Sequence, residues 1–181
     1  MTTLMIGGSK SGKSGLAERL ISGFGGRKIY IATMKPYGTE AAAVIERHRI
    51  QRAGKGFETV ERYTDIGELV LPENCAVLLE CIGNLCANEM FTGEKMLRPA
   101  EKITRGIRLL SERVSELAVV SVIVGSDGIN YEDGTAAYIE EIGRINSGIA
   151  EFADNVIECV YGIPAVLKGG LACSGRLSPR F

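Results

Sequence analysis

The 181-residue sequence has no tryptophan, a single histidine at position 48, and no two cysteines separated by two residues. With one histidine available to join five scattered cysteines, the sequence predicts no structural zinc site. It also has no charged N-terminal region followed by a long apolar run, and no apolar segment of about 20 residues. We therefore expect neither an export signal nor a membrane span, and the free thiols favour a cytoplasmic location.

The chain also has no surplus of positive charge. It carries 21 basic and 22 acidic side chains, for a formal net charge of −1. A general nucleic-acid-binding surface is therefore not expected, and an anionic ligand must be bound by a local cluster of cations. Hydrophobic residues make up 45% of the chain and charged residues 24%, which is typical of a globular domain.

Apolar runs alternate with segments of helical period along the chain. The runs predict strands at 3–6, 28–34, 57–61, 75–82, 119–126 and 155–162, and the helical segments lie between a glycine-rich turn and Leu20 and at 40–53, 99–117 and 135–152. This alternation predicts an α/β fold with a mostly parallel sheet, P-loop NTPase-like, with flanking helices. One catalytic domain is expected over 1–168, followed by a loosely held tail at 169–181.

The glycine-rich turn at 7–14 reads GGSKSGKS and matches the phosphate-binding pattern G-x-x-x-x-G-K-[ST]. Gly7 and Gly12 permit the backbone angles that let successive N–H groups surround phosphate oxygens. Lys13 is expected to reach the β- and γ-phosphates, and Ser14 to hold Mg²⁺. The turn follows an apolar strand and opens a helix, so binding of a nucleoside triphosphate is predicted rather than a plain Gly/Ser turn.

A metal bound at such a turn needs a carboxylate from a neighbouring strand end. Glu80 is the first acidic residue after the apolar run that begins at Cys75, and ligands gather at the carboxyl ends of strands in these sheets. We therefore predict Glu80 as a second metal ligand, the alternative being an ordinary solvated strand edge.

The single histidine lies in the stretch ERHRIQR, in which Arg47, Arg49 and Arg52 surround His48. Imidazole has an unperturbed pKa of about 6.5, so near neutral pH it carries a free lone pair and can act as a nucleophile. The guanidinium groups would bind a polyphosphate and stabilise a displaced pyrophosphate. The helix alone favours a solvated basic face whose histidine is partly packed, and the nucleophile is the alternative.

Several of these motifs occur together, in the same order, in one known family. The P-loop GGSKSGKS, then YIATM, ERHRIQR with ETVE, LLEC and a late GIPAVLK resemble the bifunctional adenosylcobinamide kinase/adenosylcobinamide-phosphate guanylyltransferases of cobalamin biosynthesis. The resemblance covers 3–168 and is clearest in the first 85 residues. It implies phosphorylation of the aminopropanol hydroxyl of adenosylcobinamide, followed by transfer of GMP from GTP through a guanylylated His48.

The same resemblance implies a set of site residues and an assembly. Lys13 and His48 would be catalytic, and Ser14 and Glu80 would bind Mg²⁺. Nucleotide contacts would come from Gly7, Gly8, Ser9, Lys10, Ser11, Gly12, Lys13, Ser14, Ala32, Thr33, Met34, Arg49, Ile50, Gln51, Arg52, Glu61 and Glu80. The partners implied are GTP, or ATP for the kinase step, a corrinoid substrate, and two further copies of the chain in a homotrimer.

The chain also departs from the family pattern. Ala53 and Phe57 stand where a proline and a tryptophan are common, and GSDG at 125–128 replaces an Asn-Glu-Val-Gly stretch. Two alternatives therefore remain open from the sequence. One is a P-loop kinase for a small alcohol without guanylyl transfer, and the other is a GTP-sensing protein without catalysis.

Overall fold

The computed structural model describes residues 1–37, 43, 45, 46, 49, 50 and 53–170. Within them the chain forms a sheet of seven strands, in the spatial order β3-β2-β4-β5-β1-β6-β7. The strands are β1 Thr2–Ile6, β2 Arg27–Ala32, β3 Phe57–Glu61, β4 Cys75–Glu80, β5 Glu116–Val120, β6 Asn155–Val160 and β7 Ile163–Lys168. All neighbouring pairs are parallel except β6 and β7, which form an antiparallel hairpin. The predicted mostly parallel sheet is confirmed.

Helices cover both faces of this sheet. They are α1 Lys13–Ser22, α2 Ile82–Met90, α3 Ala100–Arg113 and α4 Asp133–Phe152, with a short 3₁₀ turn at Ile66–Glu68. Successive strand residues point to opposite faces, so Met5 packs with Leu16 of α1 while Leu4 packs with Ile103 of α3 and Ile142 of α4. Strand β4 is buried at all six positions because it lies between β2 and β5, with helices over both faces of the sheet.

The structure corrects several predicted element boundaries. The strand predicted at 119–126 is Glu116–Val120, and the helix predicted at 99–117 ends at Arg113. Beyond Val120 the chain still donates two backbone hydrogen bonds, from Ser121 to Met5 and from Ile123 to Gly7. Because β1 ends at Ile6, these two bonds do not lengthen strand β5, which ends at Val120.

The remaining strands and helices agree with the predictions more closely. The strands predicted at 28–34, 75–82 and 155–162 end two residues earlier, and the last helix starts at Asp133 rather than 135. Helix α2 and strand β7 were not predicted. Of the helix predicted at 40–53, the described residues 43, 45, 46, 49 and 50 are helical.

Only the first two residues of the predicted tail fall within the described part. There the Gly170 N–H donates to the Asn155 side-chain oxygen at 3.0 Å, and residues 171–181 lie outside the described residues. Among the helices that the structure describes, none is both long enough and apolar enough to cross a bilayer.

Candidate nucleotide-binding site

The predicted site residues of the P-loop and of the ends of β2, β3 and β4 meet at one edge of the sheet. Because β1 to β5 are parallel, their carboxyl ends face the same side, where ligands bind in open α/β sheets. Ala32 at the end of β2 is in register with Glu61 of β3 on one side and with Glu80 of β4 on the other. The P-loop, residues 7–14, leaves β1 at the same edge.

The conformation of the P-loop requires its two predicted glycines. At Gly12, the N-cap of α1, φ is +92°, and an added Cβ would lie 3.1 Å from the Gly162 Cα. At Gly7 an added Cβ would lie 2.6 Å from the Cys159 carbonyl oxygen and 2.7 Å from the Ser11 Oγ. The contacts at Gly7 are shorter than a real Cβ atom makes, and the positive φ at Gly12 disfavours any side chain, so the shape of the loop depends on glycine at both positions.

The β6–β7 hairpin holds the P-loop in place through hydrogen bonds, and the sequence does not predict this contact. The Ser11 carbonyl accepts hydrogen bonds from the Cys159 thiol at 2.9 Å and from the Gly162 N–H at 2.8 Å. The Ser11 Oγ itself is buried and has no hydrogen-bond partner among the described residues. Cys159 lies in an apolar strand and Gly162 in a turn, so neither carries a recognisable signal of contact with the P-loop.

Lys13 begins helix α1 and is largely buried, with 7% of its surface exposed. Its ammonium group donates to the Gly8 carbonyl at 2.7 Å and so lies over the loop. Burial lowers the pKa of Lys13 below its ordinary value, partly opposed by the acidic groups of Cys81, Glu80 and Cys159. A bound phosphate would favour the charged form and so oppose this shift.

Ser14 and Glu80 are in direct contact, although they lie 66 positions apart in the sequence. The Ser14 hydroxyl donates to one oxygen of the Glu80 carboxylate, and the Tyr30 hydroxyl donates to the other at 3.2 Å. Hydroxyl and carboxylate oxygens are the ligands that Mg²⁺ prefers, so this pair fits the predicted metal site. Tyr30 was read from the sequence only as part of an apolar strand.

Thr33 connects two strand ends of the site through hydrogen bonds to the backbone. Its hydroxyl donates to the Cys81 carbonyl at 2.9 Å and accepts from the Cys81 N–H at 2.7 Å, and its own N–H donates to the Glu80 carbonyl at 3.1 Å. These bonds tie the end of β2 to the junction between β4 and α2. The flanking Ala32 and Met34 are half-buried.

Glu61 is exposed at the end of β3 and accepts a hydrogen bond from the Tyr63 hydroxyl at 2.6 Å. This bond, with smaller effects of burial and of the negative charge, raises the pKa of Tyr63 to about 12. The phenol therefore remains a donor at neutral pH and orients the carboxylate.

The segment 40–53, where the sequence predicts a helix that contains the nucleophile, is described only in part. Arg49 and Ile50 are helical and exposed, and Ala53 donates its N–H to the Ile50 carbonyl at 3.1 Å. His48, Gln51 and Arg52 lie outside the described residues.

Comparison with known families identifies the chain's relatives. The model of the family described as CobU, cobinamide kinase/cobinamide phosphate guanyltransferase, matches residues 3–167. The chain belongs to this family. The CobU family resemblance predicted from the motifs is thereby confirmed, and the kinase and guanylyltransferase activities are those for which the family is named.

Curated relatives match over nearly their whole length. The bifunctional adenosylcobalamin biosynthesis protein CobU of Escherichia coli K12 is 33% identical, and the alignment covers 93% of this chain and all of that protein. CobU of Salmonella typhimurium LT2 is 32% identical with the same coverage. CobP of Pseudomonas aeruginosa PAO1 is 28% identical, over 93% of this chain and 98% of that protein.

A solved structure supports the fold alone. It is a prototypical ATPase from the type III secretion system of pathogenic bacteria, with a TM-score of 0.51 and 17% identity. The match covers 91% of this chain and 56% of the ATPase chain. This chain therefore shares the arrangement of its sheet and helices with that ATPase.

Proposed function

We propose that this chain phosphorylates adenosylcobinamide and then converts the product to adenosylcobinamide-GDP. The observation that carries the proposal is the family match over residues 3–167, which include the P-loop, His48 and Glu80. The contact between Ser14 and Glu80 supports it, because it joins the two residues that the sequence predicts as ligands of one metal ion.

In the kinase step the P-loop holds the nucleoside triphosphate. The aminopropanol hydroxyl oxygen forms a bond to the γ-phosphorus, the bond from that phosphorus to the β-phosphate oxygen breaks, and the hydroxyl proton passes to solvent. Lys13, whose ammonium already lies over the loop at the Gly8 carbonyl, stabilises charge on the transferring group. The nucleoside triphosphate that supplies the phosphoryl group is GTP or ATP.

In the transfer step His48 acts as a nucleophile toward GTP. An imidazole nitrogen bonds to the α-phosphorus as the bond to the bridging oxygen breaks and pyrophosphate leaves, with Arg49 and Arg52 offsetting its charge. The terminal phosphate of adenosylcobinamide phosphate then attacks the same phosphorus, which releases the histidine and forms adenosylcobinamide-GDP.

Ser14 and Glu80 would hold Mg²⁺, which supplies positive charge next to the phosphates. The hydroxyl lies at the start of α1 and the carboxylate at the end of β4, and Tyr30 orients the carboxylate through its second oxygen. Glu61 and the segment 32–34 would contact the guanine nucleotide from the neighbouring strand ends.

The decisive experiment is an intact-mass measurement. The purified chain is incubated with Mg²⁺ and GTP without corrinoid, beside a His48→Ala variant. We expect the wild-type chain to gain the mass of one GMP, in an acid-labile form that the variant lacks.

A parallel assay separates the two activities. Phosphoryl transfer to adenosylcobinamide is measured for the wild-type chain and for His48→Ala, and both are expected to support it. Phosphorylation by the wild-type chain without any GMP adduct would indicate a kinase that has no guanylyltransferase activity. GTP binding with neither activity would indicate a GTP-sensing protein without catalysis.

A further inference from the structure

Helix α2 begins two residues after Glu80 and supplies a polar contact between two segments of the candidate site. The side-chain amide of Asn88 donates to the Thr33 carbonyl at 2.8 Å and to the Tyr63 carbonyl at 3.0 Å. Thr33 lies just after β2, and Tyr63 lies just after β3. One nitrogen therefore binds both segments that leave these strands at the nucleotide edge.

The Asn88 amide continues the hydrogen bonding between β2 and β3 beyond the last backbone hydrogen bond that joins them. At the end of the strands the Arg62 N–H donates to the Ala32 carbonyl at 3.0 Å. One residue further along each segment, the Asn88 amide bonds both carbonyls. A primary amide has two N–H donors, so it satisfies two acceptors at once.

The helix that carries Asn88 is itself anchored at this end. The neighbouring Glu89 is buried, with 4% of its surface exposed, and accepts hydrogen bonds from the Asp65 N–H at 2.7 Å and from the Lys102 ammonium at 2.6 Å. Because Glu89 joins the segment after β3 to α3, the Asn88 amide is held in a fixed place.

We infer that Asn88 is a positioning residue for guanylyl transfer, and this inference rests on the function proposed above. Asn88 fixes the distance between the segment at 32–34 and the segment of Tyr63, and Tyr63 orients Glu61. In the proposed function the segment at 32–34 and Glu61 contact the guanine nucleotide, so holding both in place orients its α-phosphorus for attack. Asn88 touches neither reacting group and acts through these two segments.

The test compares Asn88→Asp with Asn84→Asp. Asn84 lies one turn earlier on α2, and its amide reaches only the Cys81 sulfur at 3.3 Å among the described residues. Asn88→Asp keeps the shape but places a carboxylate against two carbonyl oxygens. Asn88→Ser is included because it removes the amide without adding charge, in case the aspartate variant does not fold.

Three quantities are measured for each variant: the single-turnover rate of GMP adduct formation at saturating Mg²⁺ and GTP, the affinity for inorganic tripolyphosphate, and the melting temperature. We expect Asn88→Asp to slow adduct formation by about 10-fold or more, since small misplacements of a reacting group are costly. Asn88→Ser should fall between it and the wild type. Affinity for tripolyphosphate, which needs only the P-loop, should stay within about 2-fold, and Asn84→Asp should match the wild type throughout.

The outcomes separate this inference from the proposed function. Adduct formation at the wild-type rate in both Asn88 variants overturns the inference and leaves the function standing. So does a parallel loss of adduct rate, tripolyphosphate affinity and melting temperature, which indicates a general structural role. A wild-type chain that forms no adduct overturns the guanylyltransferase proposal as well.

Discussion

At the scale of single residues, the buried ammonium of Lys13 gives the most direct prediction. Lys13→Met keeps an unbranched side chain in a largely buried position and removes the charge that lies over the P-loop. We expect the kinase kcat to fall by about 10²- to 10³-fold, the effect typical of losing one preorganised charge contact in the transition state. Steady-state phosphorylation of adenosylcobinamide measures this loss, with the melting temperature as a check on folding. A kcat within a few-fold of the wild type would remove Lys13 from the chemistry.

The contact between Ser14 and Glu80 predicts a change in metal dependence. Glu80→Gln preserves an acceptor for the Tyr30 hydroxyl but removes the negative charge that a divalent cation requires. We expect the Kd for GTP to lose most of its dependence on Mg²⁺ in this variant, as measured by calorimetry with and without the ion.

Tyr30→Phe is the matched control for that measurement. It deletes one hydrogen bond to the same carboxylate and leaves the charge in place, so the dependence on Mg²⁺ should persist. An unchanged Mg²⁺ effect in Glu80→Gln would mean that the metal binds elsewhere.

Gly7 and Gly8 are adjacent in the P-loop, but alanine at the two positions should affect the free energy of unfolding differently. A Cβ at Gly7 would lie 2.6 Å from the Cys159 carbonyl oxygen, whereas one at Gly8 would meet no heavy atom within 4 Å among the described residues. We expect Gly7→Ala to lower the free energy of unfolding by about 1–3 kcal/mol because the backbone must shift. Gly8→Ala should unfold within about 0.5 kcal/mol of the wild type in urea. Equal effects would show that crowding at Cys159 is not what requires glycine at position 7.

At the scale of secondary-structure elements, a carboxylate from α4 caps the start of α3. Pro99 precedes this helix and provides no side-chain cap, but Glu141, fully buried, accepts a hydrogen bond from the Ala100 N–H at 2.7 Å. Glu141→Leu leaves that N–H without a partner, and we expect a loss of about 2 kcal/mol in urea unfolding. Glu141→Gln keeps an acceptor and should lose less.

Glu140 is the control for this cap. It neighbours Glu141 and pairs with Arg98 at 2.7 Å, but its side chain is 58% exposed. An exposed ion pair contributes little, so Glu140→Leu should cost less than about 1 kcal/mol. If Glu140→Leu and Glu141→Leu cost the same, the buried cap is not what stabilises α3.

The elements predicted correctly from the sequence are those whose apolar pattern lies in the interior of the sheet. Strands such as β4 bury every residue, so an unbroken apolar run was sufficient to find them. Helix α2 was missed because it contains Gly83, Asn84 and Asn88, which favour turns more than helices in isolation. Packing in the tertiary structure overrides that preference, since Ile82, Leu85, Cys86 and Met90 are buried. Strand β7 was missed because an exposed edge strand has no alternation that marks a buried face.

The site residues also fall into two groups, those that a local motif predicts and those that it does not. The motif at 7–14 and the acid at Glu80 were predictable because strand, turn and helix have fixed roles around a phosphate. Cys159, Gly162 and Asn88 were not, since each acts through a contact with a backbone carbonyl far away in the sequence. Such contacts depend on which strands become neighbours, and no local pattern encodes that.

At the scale of the whole molecule, the family resemblance implies a trimer, and the described surface suggests where copies meet. Strand β7 is an edge strand, and Tyr161, Ile163 and Leu167 of its hairpin are 96%, 60% and 58% exposed. Exposed apolar edges are usually covered in the assembled protein. We expect native mass spectrometry at micromolar concentration to give a species of three times the 19.4 kDa chain mass.

A charge on the β7 edge should then disrupt this assembly. Leu167→Glu would bury a carboxylate at the contact, so we expect it to shift the population toward monomers, which light scattering measures across a dilution series. Val70→Glu is the control, because Val70 is 88% exposed outside the sheet and should leave the trimer intact. A trimeric Leu167→Glu variant would place the interface on another surface, and a monomeric wild-type chain would contradict the trimer itself. In that case the catalytic site must be complete within one chain, and guanylyl transfer should not depend on protein concentration.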